Sequence, residues 1–184
     1  MPSIAVPDPP LQDGEVRLRA WRATDAAAIT AACRDPEIPR WTSIPERYTE
    51  DDAREFLAGH DADLESGRQL ALAVVDAGDA VLGGVGLSNF DWSDLMGEIG
   101  YWVASEARGR GIGTRAVRLL STWALSELGL ERVELLAHPG NAASQALAQS
   151  AGFTREGLLR RYRRRHGVRE DLVMFSRLAE DLGA

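Results

Sequence analysis

The sequence predicts a single mixed α/β domain with elements in the order β-α-α-β-β-β-α-β-α-β-β. Three observations carry that prediction. Segments that alternate apolar and polar residues interleave with segments of helical spacing. A glycine-rich turn, Arg108-Gly-Arg-Gly-Ile-Gly113, joins a strand-like run to an amphipathic one. The 184 residues, 45% apolar and 27% charged, suit one core of ordinary soluble composition. No internal repeat or second domain is visible.

Residues 1–13 hold four prolines in the first ten positions and read as an extended or disordered arm. They lack the basic start and long apolar run of a signal peptide. The folded domain is expected over 14–178, with a short tail at 179–184. Val16 to Trp21 alternates as a strand. Thr24 can cap a helix running to about Cys33, stopped before Pro36. Thr49-Glu-Asp-Asp52 sets an acid three residues after a capping threonine and opens a helix to about Ser66, ahead of Gly67. Leu70 to Val75 is an apolar strand, turned by Ala77-Gly78-Asp79 into Val81 to Leu87. A strand at 97–103 precedes the glycine turn, and the helix 114–128 follows it, ended by Gly129. Val133 to Ala137 is a short strand, Asn141 to Ser150 a helix and Phe153 to Arg163 a strand. His166-Gly167 is expected to turn that strand into Val168–Phe175.

A glycine turn feeding a helix start aims several unpaired backbone N–H groups at one point, where the helix dipole adds partial positive charge. That combination suits a phosphate. Bare glycines let the backbone approach the ligand, and Arg108 and Arg110 can add charge-assisted contacts from the rim. The alternative is a surface turn with solvated arginines, but glycines at three alternate positions are costly unless the backbone needs them. A dinucleotide fold wants G-x-G-x-x-G directly after a strand, with an acid about 20 residues on. Here the spacing is G-x-G-x-G, and Ala104-Ser-Glu-Ala107 intervenes. A P-loop needs a lysine, and the chain has none.

Bulk charge narrows the partners. The net charge of −7 disfavours nucleic acid. No apolar run reaches membrane-spanning length. The one cysteine, Cys33, cannot form an internal disulfide, which fits a reducing cytoplasm. His60, His138 and His166 are scattered without a second ligand pattern, so no metal is expected.

The loop matches the Q/R-x-x-G-x-G/A signature, with Arg108, Gly111 and Gly113 on its defined positions. Together with Glu98-Ile-Gly-Tyr-Trp-Val103 before it, and Asn141-x-x-Ser144 and Ala151-Gly-Phe153 after it, the chain resembles the GNAT N-acetyltransferases, on their RimJ/RimL branch. The resemblance covers roughly residues 14–178 and implies a GNAT-type domain with a central, mostly antiparallel sheet flanked by helices. It also implies acetyl-coenzyme A as cofactor, its pyrophosphate held by Arg108, Gly109, Arg110, Gly111, Ile112, Gly113 and Thr114. Backbone groups at Trp102 and Val103 would meet the pantetheine where the strand splays from its neighbour.

Glu98 is the leading general base. Alternation places it on one face with Gly100 and Trp102, with Ile99, Tyr101 and Val103 on the other. It is either a half-buried working carboxylate or a strand-end surface charge. Asn141 follows Pro139-Gly140 as a good helix cap, and the resemblance adds a contact with pantetheine. The resemblance to RimL-like relatives makes Ser144 the candidate proton donor to the departing thiolate; many other family members use a tyrosine that would fall at Ala148, and its absence leaves the role to Ser144 or to water. Trp41, Tyr48, Phe90 and Trp92 fall in segments where this family shapes its acceptor pocket. Asp91 and Asp94 beside Trp92 would suit a cationic acceptor.

The family's closing D-x-x-x-Y reads Asp171–Phe175 here, without the tyrosine hydroxyl. An acid that RimL-like relatives carry on the preceding strand is replaced by Arg163 and its neighbours, a departure that weakens the case for their ribosomal-protein specificity. The run Arg160-Arg-Tyr-Arg-Arg-Arg165 reads as a solvated, partly ion-paired hairpin, near the cofactor's 3′-phosphate or a homodimer partner. The predicted activity is transfer of acetyl to a primary amine, either a protein N-terminus or a small molecule, by direct attack in a ternary complex. Two rivals stand beside it: an idle acetyl-coenzyme A sensor or docking domain, and a ribosome- or RNA-binding module using the arginine hairpin.

Overall fold

A computed structural model describes residues 3–165 and 167–183. The His166 half of the expected hairpin turn lies outside the described residues. One eight-stranded sheet runs in the order β1-β2-β3-β4-β5-β6-β8-β7. Its strands are β1 (Leu11–Asp13), β2 (Val16–Ala20), β3 (Leu70–Val75), β4 (Val81–Asp91), β5 (Met96–Val103), β6 (Arg132–Ala137), β7 (Thr154–Arg165) and β8 (Val168–Leu178). The helices are α1 (Ala26–Cys33), α2 (Glu37–Trp41), α3 (Glu50–Glu65), α4 (Ile112–Ser126) and α5 (Ala142–Ser150). Neighbouring strands are antiparallel except β5 and β6, whose parallel pairing requires a crossover that α4 supplies. This is the mixed, mostly antiparallel α/β class expected.

β3 shows how the sequence builds two layers of helices. It reads Leu-Ala-Leu-Ala-Val-Val and is buried on both faces. Leu70, Leu72 and Val74 join the core cluster of α4's Ile112, Ala116, Val117 and Leu120. Ala71, Ala73 and Val75 turn the other way, to Trp21, Ile29, Cys33 and Ala53 of the α1–α3 layer. Each fully buried leucine contributes about 1.5–3 kcal/mol, so the α4 face carries most of the apolar stabilisation of this strand. α3 starts as its sequence dictates. Thr49 Oγ1 accepts from Asp52 N at 3.2 Å, while Thr49 N donates to the Asp52 carboxylate at 2.7 Å.

Two elements go beyond the expected order. α2 forms despite Pro39, which sits in its first turn, where a proline costs no helical hydrogen bond. The N-terminal segment is extended and docked. Leu11–Asp13 pairs with β2, Ile4 is buried, and Ile4 N donates to Leu64 O at 2.9 Å. Among the described residues no helix is long and apolar enough to cross a membrane, and no group of three or more His, Cys, Asp or Glu could hold a metal ion.

Candidate active site

The site is made by a divergence in the middle of the sheet. β5 pairs with β6 only at Met96↔Arg132, Gly97↔Val133 and Glu98↔Glu134. Beyond that point β5 follows β4 up to Val103, and β6 follows β8 up to Ala137. The β6-facing backbone of Ile99–Val103 therefore has no strand partner. A cleft of about 1170 Å³ fills the divergence and reaches both faces of the sheet. Small-molecule pockets are usually about 300–1,000 Å³, so this volume suits two ligands side by side.

The glycine loop closes one end. Gly109 and Gly111 have φ of +73° and +74°, a left-handed conformation that excludes most side chains. Gly111 is the N-cap of α4 and supplies no side chain to its orphan N–H groups. The first turn of α4 contains no acid. Its amides thus face the cleft unsatisfied, in a field that favours an anion. A Cβ on Gly113 would come within 2.7 Å of Leu147 Cδ1 and 3.1 Å of Val103 Cγ2, so its bareness lets α4 seat against β5 and α5. Arg108 braces the loop: its Nε donates to Val103 O at 3.1 Å and its Nη2 pairs with Asp35 at 2.7 Å. Thr114 lines the cleft. Arg110 points away from it, 3.7 Å from Glu15.

On the α4 side of the divergence, Asn141 caps α5 by accepting from Ser144 N at 3.0 Å. That turn holds Ser144, a residue only 8% exposed, with its hydroxyl toward β5. There the Tyr101 hydroxyl donates to Ser144 Oγ at 3.0 Å. Burial pushes the Tyr101 phenol above its ordinary value, only partly offset by the hydrogen bond to Ser144, so it stays protonated at neutral pH. Sequence reasoning names Ser144 and passes over Tyr101, although alternation along β5 already sets Tyr101 on the face opposite Glu98.

On the opposite face Glu98 does not stand alone. Its Oε1 and Oε2 accept from Arg163 Nη1 and Nη2 at 2.9 and 2.6 Å, and Asn89 Nδ2 donates to Oε2 at 3.0 Å. This is a forked, charge-assisted clamp in a half-buried setting, where the Glu98 side chain is 17% exposed. The pairing with Glu98 also holds the Arg163 guanidinium above its ordinary range. Arg163 reaches the cleft from β7, beside Arg165, which pairs with Glu170 at 2.9 Å and donates to the Pro39, Arg40 and Thr42 carbonyls at the end of α2. The arginine run thus bridges β7 to α2 across the mouth of the cleft.

The acceptor-side aromatics divide. Trp41 and Tyr48 line the cleft, as does Trp102, whose ring stacks on Trp21 at a centroid distance of 6.3 Å. Phe90 and Trp92 do not. They stack on each other at 4.7 Å, Trp92 Nε1 donates to Gly67 O, and both pack against the main core. Asp91, which the sequence set beside a cationic acceptor, is spent on its own turn, accepting from Ser93 and Asp94 amides.

This geometry is that of a family of known transferases. The model of the acetyltransferase (GNAT) domain matches residues 15–154. The chain belongs to the GNAT acetyltransferase family. The N-acetyltransferase p20 of Bacillus licheniformis is 30% identical over 165 residues, covering 89% of this chain and 93% of that protein. Among solved structures, Mycobacterium smegmatis RimJ in complex with CoA-disulfide aligns with a TM-score of 0.82 at 28% identity, covering 95% of this chain and 88% of RimJ. The Microcin C7 self-immunity acetyltransferase MccE, in complex with acetyl-CoA and AMP, shares the fold at a TM-score of 0.80 and 23% identity, over 90% and 93% of the two chains. The GNAT likeness on the RimJ/RimL branch, read from the glycine loop and its flanking motifs, is thereby shown.

Proposed function

We propose that this GNAT enzyme transfers the acetyl group of acetyl-coenzyme A to a primary amine by direct attack. The observation that carries the reading is the divergence of β5 from β6 between an acid-free helix N-terminus and the Tyr101–Ser144 pair. The residues present fit the cofactor. Gly109–Gly113 and the first turn of α4 offer unsatisfied amides to its pyrophosphate, and Arg108 and Thr114 border them. The open edge of Ile99–Val103, with Asn141 opposite, offers hydrogen bonds to an extended amide-bearing arm. The bound cofactor supplies an acetyl thioester, whose carbonyl needs a hydrogen-bond donor as negative charge builds on it. The N–H of Val103, which faces the divergence while the neighbouring Trp102 and Ala104 amides face β4, is suited to that task.

The chain's side chains then divide the remaining work. Glu98 presents an anionic acceptor that gathers and orients the amine, its rotamer fixed by Arg163. An α-amine titrates at about 7.7–8.0, so water in the open cleft can take its proton without a strongly basic side chain. As the new C–N bond forms and the C–S bond breaks, the nitrogen gives up its extra proton to water in the cleft. Ser144 protonates the departing thiolate and is replenished from Tyr101, and the pair regains its proton from that water. No covalent acetyl-enzyme is needed. Burial pushes the Cys33 thiol up to about 12, which leaves it neutral and a poor nucleophile.

The acceptor is a peptide N-terminus or a small amine. Thiol release from acetyl-coenzyme A, screened over peptides and small amines, tests the reading. Turnover with at least one primary amine is expected. Tight cofactor binding with no turnover across the panel would favour an idle binding domain.

A further inference from the structure

Opposite the donor side, the cleft floor contains a strip of sheet almost without side chains. Directly paired residues share a face, and Ala71 pairs with Gly86, which pairs with Gly100. One methyl group therefore covers three strands. The strip ends at Gly100, two residues past the last β5–β6 pair, where the sheet opens to the other face. Along β5 it is flanked by Glu98 on one side and by the Trp102 indole on the other.

The glycines of this region are bare for different reasons. A Cβ on Gly84 would strike the Trp102 indole at 2.7 Å, and one on Gly86 would strike Leu70 O at 2.6 Å. Gly100 has no such reason. Its φ is not in the left-handed region, and a Cβ there would meet nothing within 4 Å. It is exposed and lines the cleft. A glycine in a strand interior weakens the strand unless another backbone or a ligand comes close. Nothing in the described chain comes close to the side-chain position of Gly100.

The walls above the strip are mainly apolar, although Arg164, whose Nε donates to Gly167 O, also lines the cleft. Trp21, Ile29, Cys33, Ile38 and Phe56 line this half. The three acids that line the cleft are all matched: Glu98 by Arg163, Glu170 by Arg165 and Glu37 by Arg40, at 2.6, 2.9 and 3.0 Å. Among the described residues no unmatched carboxylate lines the cleft to receive a second cation on the acceptor.

Building on the transferase reading above, the geometry assigns Gly100 as the acceptor gate of the cleft. The residue bearing the amine lies against the Ala71–Gly86–Gly100 strip, and its side chain is uncharged and apolar, seated between the strip and the α1–α3 layer. Polyamines and amines with a neighbouring cation are poor acceptors for such a slot.

The test compares wild type with Gly100→Ala and Gly100→Val, using leucine amide, arginine amide and glutamic acid 1-amide as acceptors. Thiol release gives kcat/KM, calorimetry gives the Kd for acetyl-coenzyme A, and thermal denaturation gives Tm. Wild type should prefer leucine amide to either charged amide by about tenfold or more. Gly100→Ala should lower kcat/KM for leucine amide by about tenfold and Gly100→Val by more. The cofactor Kd should stay within about twofold. Tm should be unchanged or higher in Gly100→Ala, because alanine suits a strand better than glycine. A wild-type preference for arginine amide, unchanged kinetics in both variants, or a parallel loss of cofactor affinity would overturn the assignment. Absence of turnover with all three amides would also overturn it. The transferase reading survives that result if another amine is acetylated, and falls only if no amine is.

Discussion

Replacing Ser144 with alanine separates a proton donor from a structural hydroxyl. In the structure Ser144 Oγ accepts from Tyr101, and the Ser144 amide, which the substitution keeps, donates to Asn141. If the hydroxyl only stabilised the fold, its loss would cost one hydrogen bond, about 1 kcal/mol, plus some desolvation of the orphaned Tyr101 hydroxyl. That amounts to a few degrees in Tm and about a fivefold change in any equilibrium it touches. A positioned proton donor contributes about 100- to 10,000-fold to the rate. Ser144→Ala should therefore lower kcat by about 100-fold or more while the cofactor Kd moves less than about fivefold. Tyr101→Phe removes the same bond from its other end, keeps the ring beside Gly113 and orphans no donor. Its kcat should fall by about tenfold, and the double variant should be no slower than Ser144→Ala alone, because the two act as one relay. Single-turnover thiol release at saturating acetyl-coenzyme A measures all three. A Ser144→Ala enzyme with wild-type kcat, or single-variant effects that multiply in the double variant, would refute the relay.

Other perturbations address the rest of the site and fold. Glu98→Gln keeps the shape of the clamp and removes its charge; kcat/KM for the amine should fall by about tenfold at neutral pH and partly recover at high pH, where the amine arrives neutral and gains less from an anionic neighbour. A pH profile parallel to wild type would remove Glu98 from the reaction. Away from the site, hydrogen bonds from Arg132, then from Ser176, hold the Glu156 carboxyl down from 4.5 to about 2. A depressed carboxylate stabilises the fold above its unfolded value and loses that contribution as pH falls from about 4.5 toward 2. Glu156 is 39% exposed, so screening limits the effect to about 1 kcal/mol. Glu156→Gln should be less stable than wild type at pH 7 and equal to it near pH 2, read by denaturant titration at each pH; a constant difference across that range would contradict the pairing.

Local pattern made most of the fold legible. The alternation of β5 put Glu98, Gly100 and Trp102 on one face and Tyr101 on the other, and the Thr49–Asp52 spacing marked the start of α3. α2 and β1 escaped because both are short and proline-flanked, with stability that comes from docking rather than from period. The splay escaped for a different reason: it depends on where two strands stop pairing, which no single strand encodes. The site residues follow the same division. The glycine loop, Asn141 and Ser144 are contiguous motifs and were found through the family resemblance. The partners that give them meaning lie far along the chain: Tyr101 is 43 residues from Ser144, and Arg163 is 65 from Glu98. Alternation alone could place Arg163 and Arg165 on one face of β7 but could not show that this face meets the cleft. Phe90 and Trp92 had the composition of an acceptor wall, and their mutual stacking against the core shows why composition alone misplaced them.

The central claim is that the loop 108–113 holds the acyl donor by its pyrophosphate. Calorimetric titration of acetyl-coenzyme A into wild type and Gly111→Asp, with Tm recorded to confirm that both are folded, tests it most directly. Aspartate adds a negative charge at the N-cap of α4, where the bare amides await an anion, in a backbone conformation that glycine alone adopts easily. The account predicts saturable binding to wild type and a loss of about 100-fold or more in the folded variant. Equal affinity for the two proteins would place the donor elsewhere and contradict it.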